Sequence, residues 1–357
     1  MLMPNDPLHQ VWADTAATLG FGLFLPLAAF DARATFKTLK RGIGTKAGRP
    51  SVWAWMYGRR SAGETLVIGQ SRGDEGQLVT SVVARIDPPL FLGVEAYRQP
   101  NGLFEGGSWA PERTAQVFAR APTALAALGG IANAGAIGIL DSTVVVNLPG
   151  IVADTSTIGY VVETARNAAS ALSEARRGLP KSEGERAQEA TWSAFAETEH
   201  LTFDANRLEI SGTMAGAKIR IALEGEPFAA VTTVNVELPG NLGLGLSVTK
   251  QRGPSILNSL VGIADLPSGD PWFDEAYVVR GNPAPAVQQM IFNPLLRRTI
   301  DDLARAARSF ELGDAHLFAQ YTTPLATELE LRGLRERIAG LVAILFPNTT
   351  GTRGPYR

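Results

Sequence analysis

The chain has 357 residues, enough for about two domains of ordinary size. Its 33 basic and 35 acidic side chains leave a formal charge of −2, which excludes a polycation, and a hydrophobic share of 45% excludes a disordered chain. The absence of cysteine excludes disulfides, thiolate nucleophiles and cysteine-ligated zinc or iron–sulfur centres. Residues 1–14 lack the basic and long apolar regions of a secretory signal, and the apolar run 20–30 is about half the length of a membrane span. A cytoplasmic protein with no membrane span is therefore expected. An N-terminal helix comes first, then a glycine-rich basic and aromatic stretch around 41–63, then a strand over 80–86. Proline in Ala110-Pro111 opens a helix, where its missing N–H costs nothing. The run 121–139 is broken by Gly129, Gly130, Asn133, Gly135 and Gly138 and reads as a small-residue helix and loop. A strand over 143–147 and a closing helix through Val161, Ala168 and Leu172 end this part.

Residues 173–189 are dense in charge, carry Gly178, Pro180 and Gly184, and have no apolar period, so a linker is expected there. After a helix holding Trp192, strands are predicted over 207–213 and 217–223, flanking a turn at Ala215-Gly216. The strand 230–238 places Val231, Thr233, Asn235 and Glu237 on one face, and Pro239-Gly240-Asn241 turns it into a hairpin with 242–248. A helix over 285–307 is kinked or split by Pro294. A strand over 315–321 precedes an amphipathic helix over 328–345, with Leu331, Leu334, Ile338, Leu341, Val342 and Leu345 at three- and four-residue steps. The tail 347–357 is expected to be flexible.

The two halves repeat one another. Phe30-Asp31-Ala32 recurs as Phe203-Asp204-Ala205, and Asp141 with the strand after it recurs as Asp314, both 173 residues apart. Thr80-Ser81-Val82-Val83-Ala84-Arg85-Ile86 matches Thr232-Thr233-Val234-Asn235-Val236-Glu237-Leu238 at 152 residues, as do Leu90, Leu92, Gly93 and Val94 with Leu242, Leu244, Gly245 and Leu246. The expectation is an α+β fold with an internal tandem duplication, each copy an antiparallel sheet with helices packed on one face. The copies span 1–172 and 190–346. The first carries 21 extra residues around 41–63, and the second an insertion containing 269–277.

Thr232-Thr233-Val234-Asn235-Val236-Glu237-Leu238-Pro239 with Leu242-Gly243-Leu244-Gly245-Leu246, then Gly269-Asp270-Pro271-x-Phe273-Asp274-x-x-Tyr277-Val278-Val279-Arg280-Gly281, resembles a group of uncharacterised bacterial proteins associated with myxobacteria and their relatives. The resemblance covers 192–345 and reaches the first half only through the repeat. It implies no activity, and no catalytic or ligand residue carries over from it. The first half lacks the Gly-Asp-Pro-x-Phe-Asp element.

Chemistry-bearing residues are sparse. The three histidines, His9, His200 and His316, occupy neither a G-x-S-x-G elbow nor a zinc-ligand spacing. The best acidic cluster is Asp270, Asp274 and Glu275, beside the pairs Asp74-Glu75 and Asp301-Asp302. Such carboxylates can bind magnesium or move protons, but Gly269-Asp270-Pro271 reads more simply as a turn in which Asp270 accepts local N–H bonds. Residues 41–48 fail both the P-loop and dinucleotide spacings. Residues 37–60 hold Lys37, Lys40, Arg41, Lys46, Arg49, Arg59 and Arg60 with no acid, and Trp53, Trp55 and Tyr57 alternate among them, a pattern that could stack bases and neutralise phosphates. Against nucleic acid, residues 1–172 are nearly balanced, with 14 basic and 13 acidic side chains, and an edge strand whose aromatics cover the core is the simpler reading. The favoured expectation is a non-enzymatic binding or scaffold protein with no cofactor or metal, touching a protein partner, a ligand or itself through Trp53, Trp55, Tyr57, Trp272, Phe273 and Tyr277. Nucleic-acid binding through 37–60 stands second, and a hydrolase using Asp270, Asp274 or His316 third.

Overall fold

The computed structural model describes residues 7–24, 52–60, 63–72, 77–226, 229–251 and 265–347. The chain divides into two compact units, residues 1–180 with 225–229, and residues 181–224 with 230–357.

The first unit opens with helix α1 (Pro7–Leu19) and continues through strands β1 (Gly22–Phe24), β2 (Val52–Arg60), β3 (Gly63–Arg72), β4 (Gln77–Arg85), β5 (Glu95–Arg98) and β6 (Phe104–Gly107). Helices α2 (Pro111–Arg120) and α3 (Pro122–Gly129) each begin on proline, and β7 (Ala136–Leu140), β8 (Thr143–Pro149) and α4 (Thr155–Arg177) follow. The sheet runs β1-β2-β3-β4-β8-β7-β5-β6, so the chain leaves β4, passes two positions and re-enters at β5. Ile158, Val161, Val162, Ala165, Ala168, Ala169 and Leu172 of α4 recur at helical spacing and share one core with the alternate strand residues Val82, Ala84, Val144 and Val146.

The second unit has α5 (Glu183–Thr198), β9 (Thr202–Asp204), β10 (Glu209–Met214), β11 (Ala217–Glu226), β12 (Ala229–Glu237), β13 (Ser247–Lys250), α6 (Pro271–Ala276), β14 (Tyr277–Arg280), α7 (Ala284–Ile291), α8 (Pro294–Ala304), β15 (Ala307–Gly313), β16 (His316–Tyr321) and α9 (Glu328–Leu345). Its sheet order, β9-β10-β11-β12-β16-β15-β13-β14, is the order of the first sheet strand for strand. In α9 Leu331, Leu334, Ile338, Leu341 and Val342 are buried. At about 1.5–3 kcal/mol each, they outweigh exposed pairs such as Arg332–Glu328, worth a few tenths.

Three long-range devices occur in both units. The first is a carboxylate in the β7–β8 turn. Asp141 is fully buried and accepts the backbone N–H groups of Leu92 (2.7 Å), Phe91 (2.9 Å) and Val94 (3.2 Å), while Asp314 accepts those of Leu246 (2.9 Å) and Leu244 (3.1 Å). Gly93 and Gly245, at φ +62° and +53°, let both loops curl around the acceptor. The second is a cation over a chain reversal. Arg98 donates to the carbonyls of Gly129, Ile131 and Ala134, and Lys250 to those of Ala304, Arg305 and Ala307. The third is an indole. Trp12 donates to the Val152 carbonyl at 2.9 Å and Trp192 to the Leu325 carbonyl at 2.7 Å, while the N–H groups of Val152 and Leu325 go to the hydroxyls of Thr80 and Thr232.

Two expectations are corrected, the hairpin at 239–248 and the end of the helix at 285–307, and two gain detail. The charged stretch 173–189 contains the boundary between the two units, at Pro180 and Lys181, and is helical on either side of it, the second helix running on through Trp192. Ser173 donates to the Asp87 carbonyl and Arg176 to that of Leu90, which carries α4 on to Arg177, and a reciprocal Ser182–Glu185 capping box starts α5 at once. The hairpin at 239–248 does not form: β12 lies between β11 and β16, whereas β13 pairs with β14 and β15, because the Asp314 carboxylate gathers the intervening loop. The helix at 285–307 splits at Asn293-Pro294 as expected, but ends at Ala304 and gives way to β15. The Gly269-Asp270-Pro271 turn opens a six-residue helix, α6. Among the described residues no helix is long and apolar enough to cross a membrane.

Replacing Asp141 by Ala strands three buried N–H groups, so urea denaturation of Asp141→Ala is expected to show a loss of roughly 3–6 kcal/mol, and less for the half-buried Asp314→Ala. Asp154, at the N-cap of α4, is held down to about 2, chiefly by the Thr157 and Ser156 hydroxyls. Its folded pKa lies below the ordinary carboxylate value, so its contribution is complete above about 4 and disappears as pH falls through 2. The melting temperatures of the wild type and Asp154→Ala are expected to differ at pH 7 and converge near pH 2.

Candidate functional site

Helix α6 has the most exposed large apolar side chain among the described residues, Trp272, at 84%. Local chemistry fixes its position. Asp270 is the N-cap of α6, and its Oδ1 accepts from Trp272 N at 3.1 Å and Phe273 N at 3.4 Å, with Pro271 at the first helical position. Asp274 accepts the Ser268 N–H at 2.8 Å, and the buried Ser268 hydroxyl accepts from Asp270 N. On its inner side α6 buries Phe273, whose ring centre lies 4.6 Å from that of Tyr277. The Tyr277 hydroxyl donates to Asp301 at 3.0 Å, and burial holds its pKa well above the usual phenol range.

Arg297 of α8 ties this segment to the α7–α8 junction. Its Nη1 donates to the carbonyls of Ser268 (2.9 Å), Phe292 (3.1 Å) and Ile291 (3.2 Å), and its Nε lies 3.7 Å from Asp270. Gly269 sits at φ +76°, and a Cβ there would come within 3.1 Å of the Phe292 ring. Glycine therefore serves both the backbone and the aromatic contact. Phe292 is 52% exposed and Leu295, one residue into α8 from Pro294, 64%. Trp272, Phe292 and Leu295 thus stand at three helix ends that Arg297 and the Gly269–Phe292 contact tie together.

The other sequence-derived residues are placed as follows. Of the second aromatic triplet, only Trp272 remains a surface residue, because Phe273 and Tyr277 fill the interior of their unit. Trp53, Trp55, Tyr57, Arg59 and Arg60 all lie on β2, Trp55 opposite Ile68 and Tyr57 opposite Leu66. That strand is second in its sheet, flanked outside by β1, so it is not the edge. Lys37, Lys40, Arg41, Lys46 and Arg49 lie outside the described residues, as does the pair Asp74-Glu75. Asp270, Asp274 and His316 are not brought together: the two aspartates sit beyond the edge strand β14, and β13 and β15 separate β14 from His316 on β16, three strand spacings or about 14 Å. His316 instead faces Glu311, with Nε2 3.5 Å from its carboxylate. Asp301 takes Tyr277 and Arg305, and Asp302 lies 4.0 Å from Arg298. Among the described residues no three His, Asp or Glu side chains are grouped as a metal site.

Comparison with protein-family models, curated proteins and solved structures finds no match. The surface is therefore read from its own chemistry. Sequence reasoning missed Phe292, Leu295 and Arg297. A signal was present for Leu295: the buried stripe of α8 runs Leu296, Ile300, Leu303, and a leucine one position off that stripe points to the outside.

Arg297→Met removes the tie between the two segments. Hydrogen exchange of the α6 amides is expected to speed up by roughly 5- to 100-fold, matching a local loss of about 1–3 kcal/mol, while α9 stays protected.

Proposed function

We propose that this is a non-enzymatic binding protein built by tandem duplication of one α+β unit, and that the second unit makes contact through Trp272, Phe292 and Leu295. Support for the duplication comes from the common strand order, from the carboxylate and cation devices recurring 173 and 152 residues apart, and from an indole device present in both units. The contact reading rests on the 84% exposure of Trp272 on a helix whose N-cap is made, whose inner side is buried and whose start Arg297 ties to the α7–α8 junction. Keeping a large apolar side chain in water is costly unless something covers it, and Trp is the side chain that most often anchors interfaces. No element corresponding to α6 exists between β5 and β6 of the first unit, so the two copies differ in what they present.

Native mass spectrometry of protein purified from its own cells, without stringent salt washing, tests this. Mass beyond the 38.0 kDa of one chain is expected on the wild type. Trp272→Ala is expected to weaken the association about 30-fold or more while leaving the melting temperature unchanged. A variant that unfolds, or that keeps all its added mass, refutes the contact role of Trp272.

A further inference from the structure

We propose that the turn joining β5 to β6 is a site of spontaneous covalent modification, in which the Gly102 nitrogen closes on the Asn101 side chain and leaves an aspartyl or isoaspartyl link. This site lies in the first unit and owes nothing to the Trp272 surface. Ring closure needs an asparagine whose next backbone nitrogen is not screened by a side chain, and Asn101 is the one asparagine of the chain followed by glycine. The fold sets that pair in the open. Gly102 N donates to Gln99 O at 2.9 Å and Gln99 N to Leu103 O at 2.8 Å. This is the bonding of a three-residue hairpin loop, with Pro100 and Asn101 at its centre and a left-handed residue after them. Gly102 is that residue, at φ +82°, and a Cβ there would meet nothing within 4 Å. Asn101 is exposed, and its Oδ1 accepts the Leu103 N–H at 2.9 Å.

Water is the only co-reactant. The Gly102 nitrogen loses its proton and bonds to Cγ of Asn101, the Cγ–Nδ2 bond breaks, and the side-chain nitrogen leaves with that proton as ammonia, giving a cyclic imide. Water adds to either ring carbonyl and opens it. A carboxylate then stands at 101, on a normal link or on one longer by a backbone carbon. Two groups of the turn act on ring closure in opposite senses. The Leu103 N–H sits on Oδ1, the atom that gains negative charge as the nitrogen attacks. Gln99 O holds the Gly102 N–H, so that nitrogen is freed only when the turn opens, which slows closure by roughly 3- to 10-fold. The longer link presses on a close contact. A Cβ on Gly129 would lie 2.5 Å from the Gly102 carbonyl oxygen, at the end of α3 where Arg98 holds the carbonyls of Gly129, Ile131 and Ala134. Modification at 101 therefore loosens the Arg98 tie and the outermost strand, β6.

The full chain, held in warm buffer at neutral and at mildly alkaline pH and then mapped by mass spectrometry through the tryptic peptide 99–113, provides the test. Methylation by an isoaspartyl methyltransferase separates the two links. Conversion at Asn101 is expected to outrun that at every other asparagine by at least ~10-fold, and to rise with pH because Gly102 must lose its proton. In urea it is expected to be roughly 3- to 10-fold faster, since the bond to Gln99 is gone. Asn101→Gln is expected to remove the reaction, and Gly102→Ala, with circular dichroism confirming the fold, to slow it at least ~10-fold. Hydrogen exchange of the β6 amides is expected to be about 5-fold faster in the isoaspartyl product. A native chain that stays unconverted at 101, one that converts first at another asparagine, or a rate indifferent to Gly102→Ala overturns the site. An isoaspartyl product whose β6 amides exchange as before overturns the coupling to Arg98.

Discussion

Each half of this protein depends on a carboxylate in a tight turn. The connection from β4 to β5, and its counterpart from β12 to β13, does not join neighbours in the sheet; it passes the end of a two-stranded hairpin before rejoining on the far side. In the first unit the crossing backbone is largely buried, and there unpaired N–H groups cost about 1–3 kcal/mol each; in the second it is part-exposed, with Asn241, Gly243 and Gly245 at the surface. Asp141 and Asp314 stand at the hairpin turn and accept those N–H groups, while their own carbonyls accept from Leu90 and Leu242. A charged acceptor shared among several donors is among the strongest ways to fix such a loop. The position of the fifth strand, and with it the start of the following helices, follows from that bond.

Burial makes the first copy the more demanding. Asp141 is shut away from water, and its pKa rises to about 6 against the pull of the loop N–H groups. Its folded pKa is above the ordinary carboxylate value, so the part of stability linked to its proton is largest below about 4 and fades as pH rises through 6. The sign is opposite to that of Asp154, whose charged form is favoured by hydroxyls at an open helix end. Two aspartates in one unit therefore respond oppositely to acid because one is desolvated and the other is hydrogen-bonded in water.

The surface around Trp272 has no counterpart between β5 and β6 of the first unit. Its polar frame, from Ser268 and Asp270 to Arg297 Nη1, is bonded within the unit and fixes the start of α6, while Arg297 Nε is buried with no hydrogen-bond partner. Such preorganisation lowers the entropy lost on association, which is why a small cluster of fixed aromatic and aliphatic anchors can carry an interface. In the first copy the exposed Trp109 has different surroundings. Its indole lies against Gly93, where a Cβ would come within 2.3 Å of the ring, so it packs on its own loop.

Much of the architecture was legible before any coordinates. The offsets of 152 and 173 residues already singled out Leu92 with Leu244 and Asp141 with Asp314, and in the structure each of these pairs serves the same bond, across 49 residues in the first unit and 70 in the second. The α9 stripe and the break at Pro294 were also readable, since helical periodicity and proline's missing N–H are local properties. What each aspartate accepts, where β13 pairs and which aromatics stay outside were not readable, because each depends on groups tens of residues away. Trp272 and Phe273 are adjacent and chemically alike in the sequence. Only the docking of α6 against Tyr277 and the Arg297 tie turns one inward and leaves the other in water. The sequence determined the order and nature of the elements through short-range propensity and period; the tertiary structure alone decided exposure, because exposure is set by neighbours that the chain brings together only on folding.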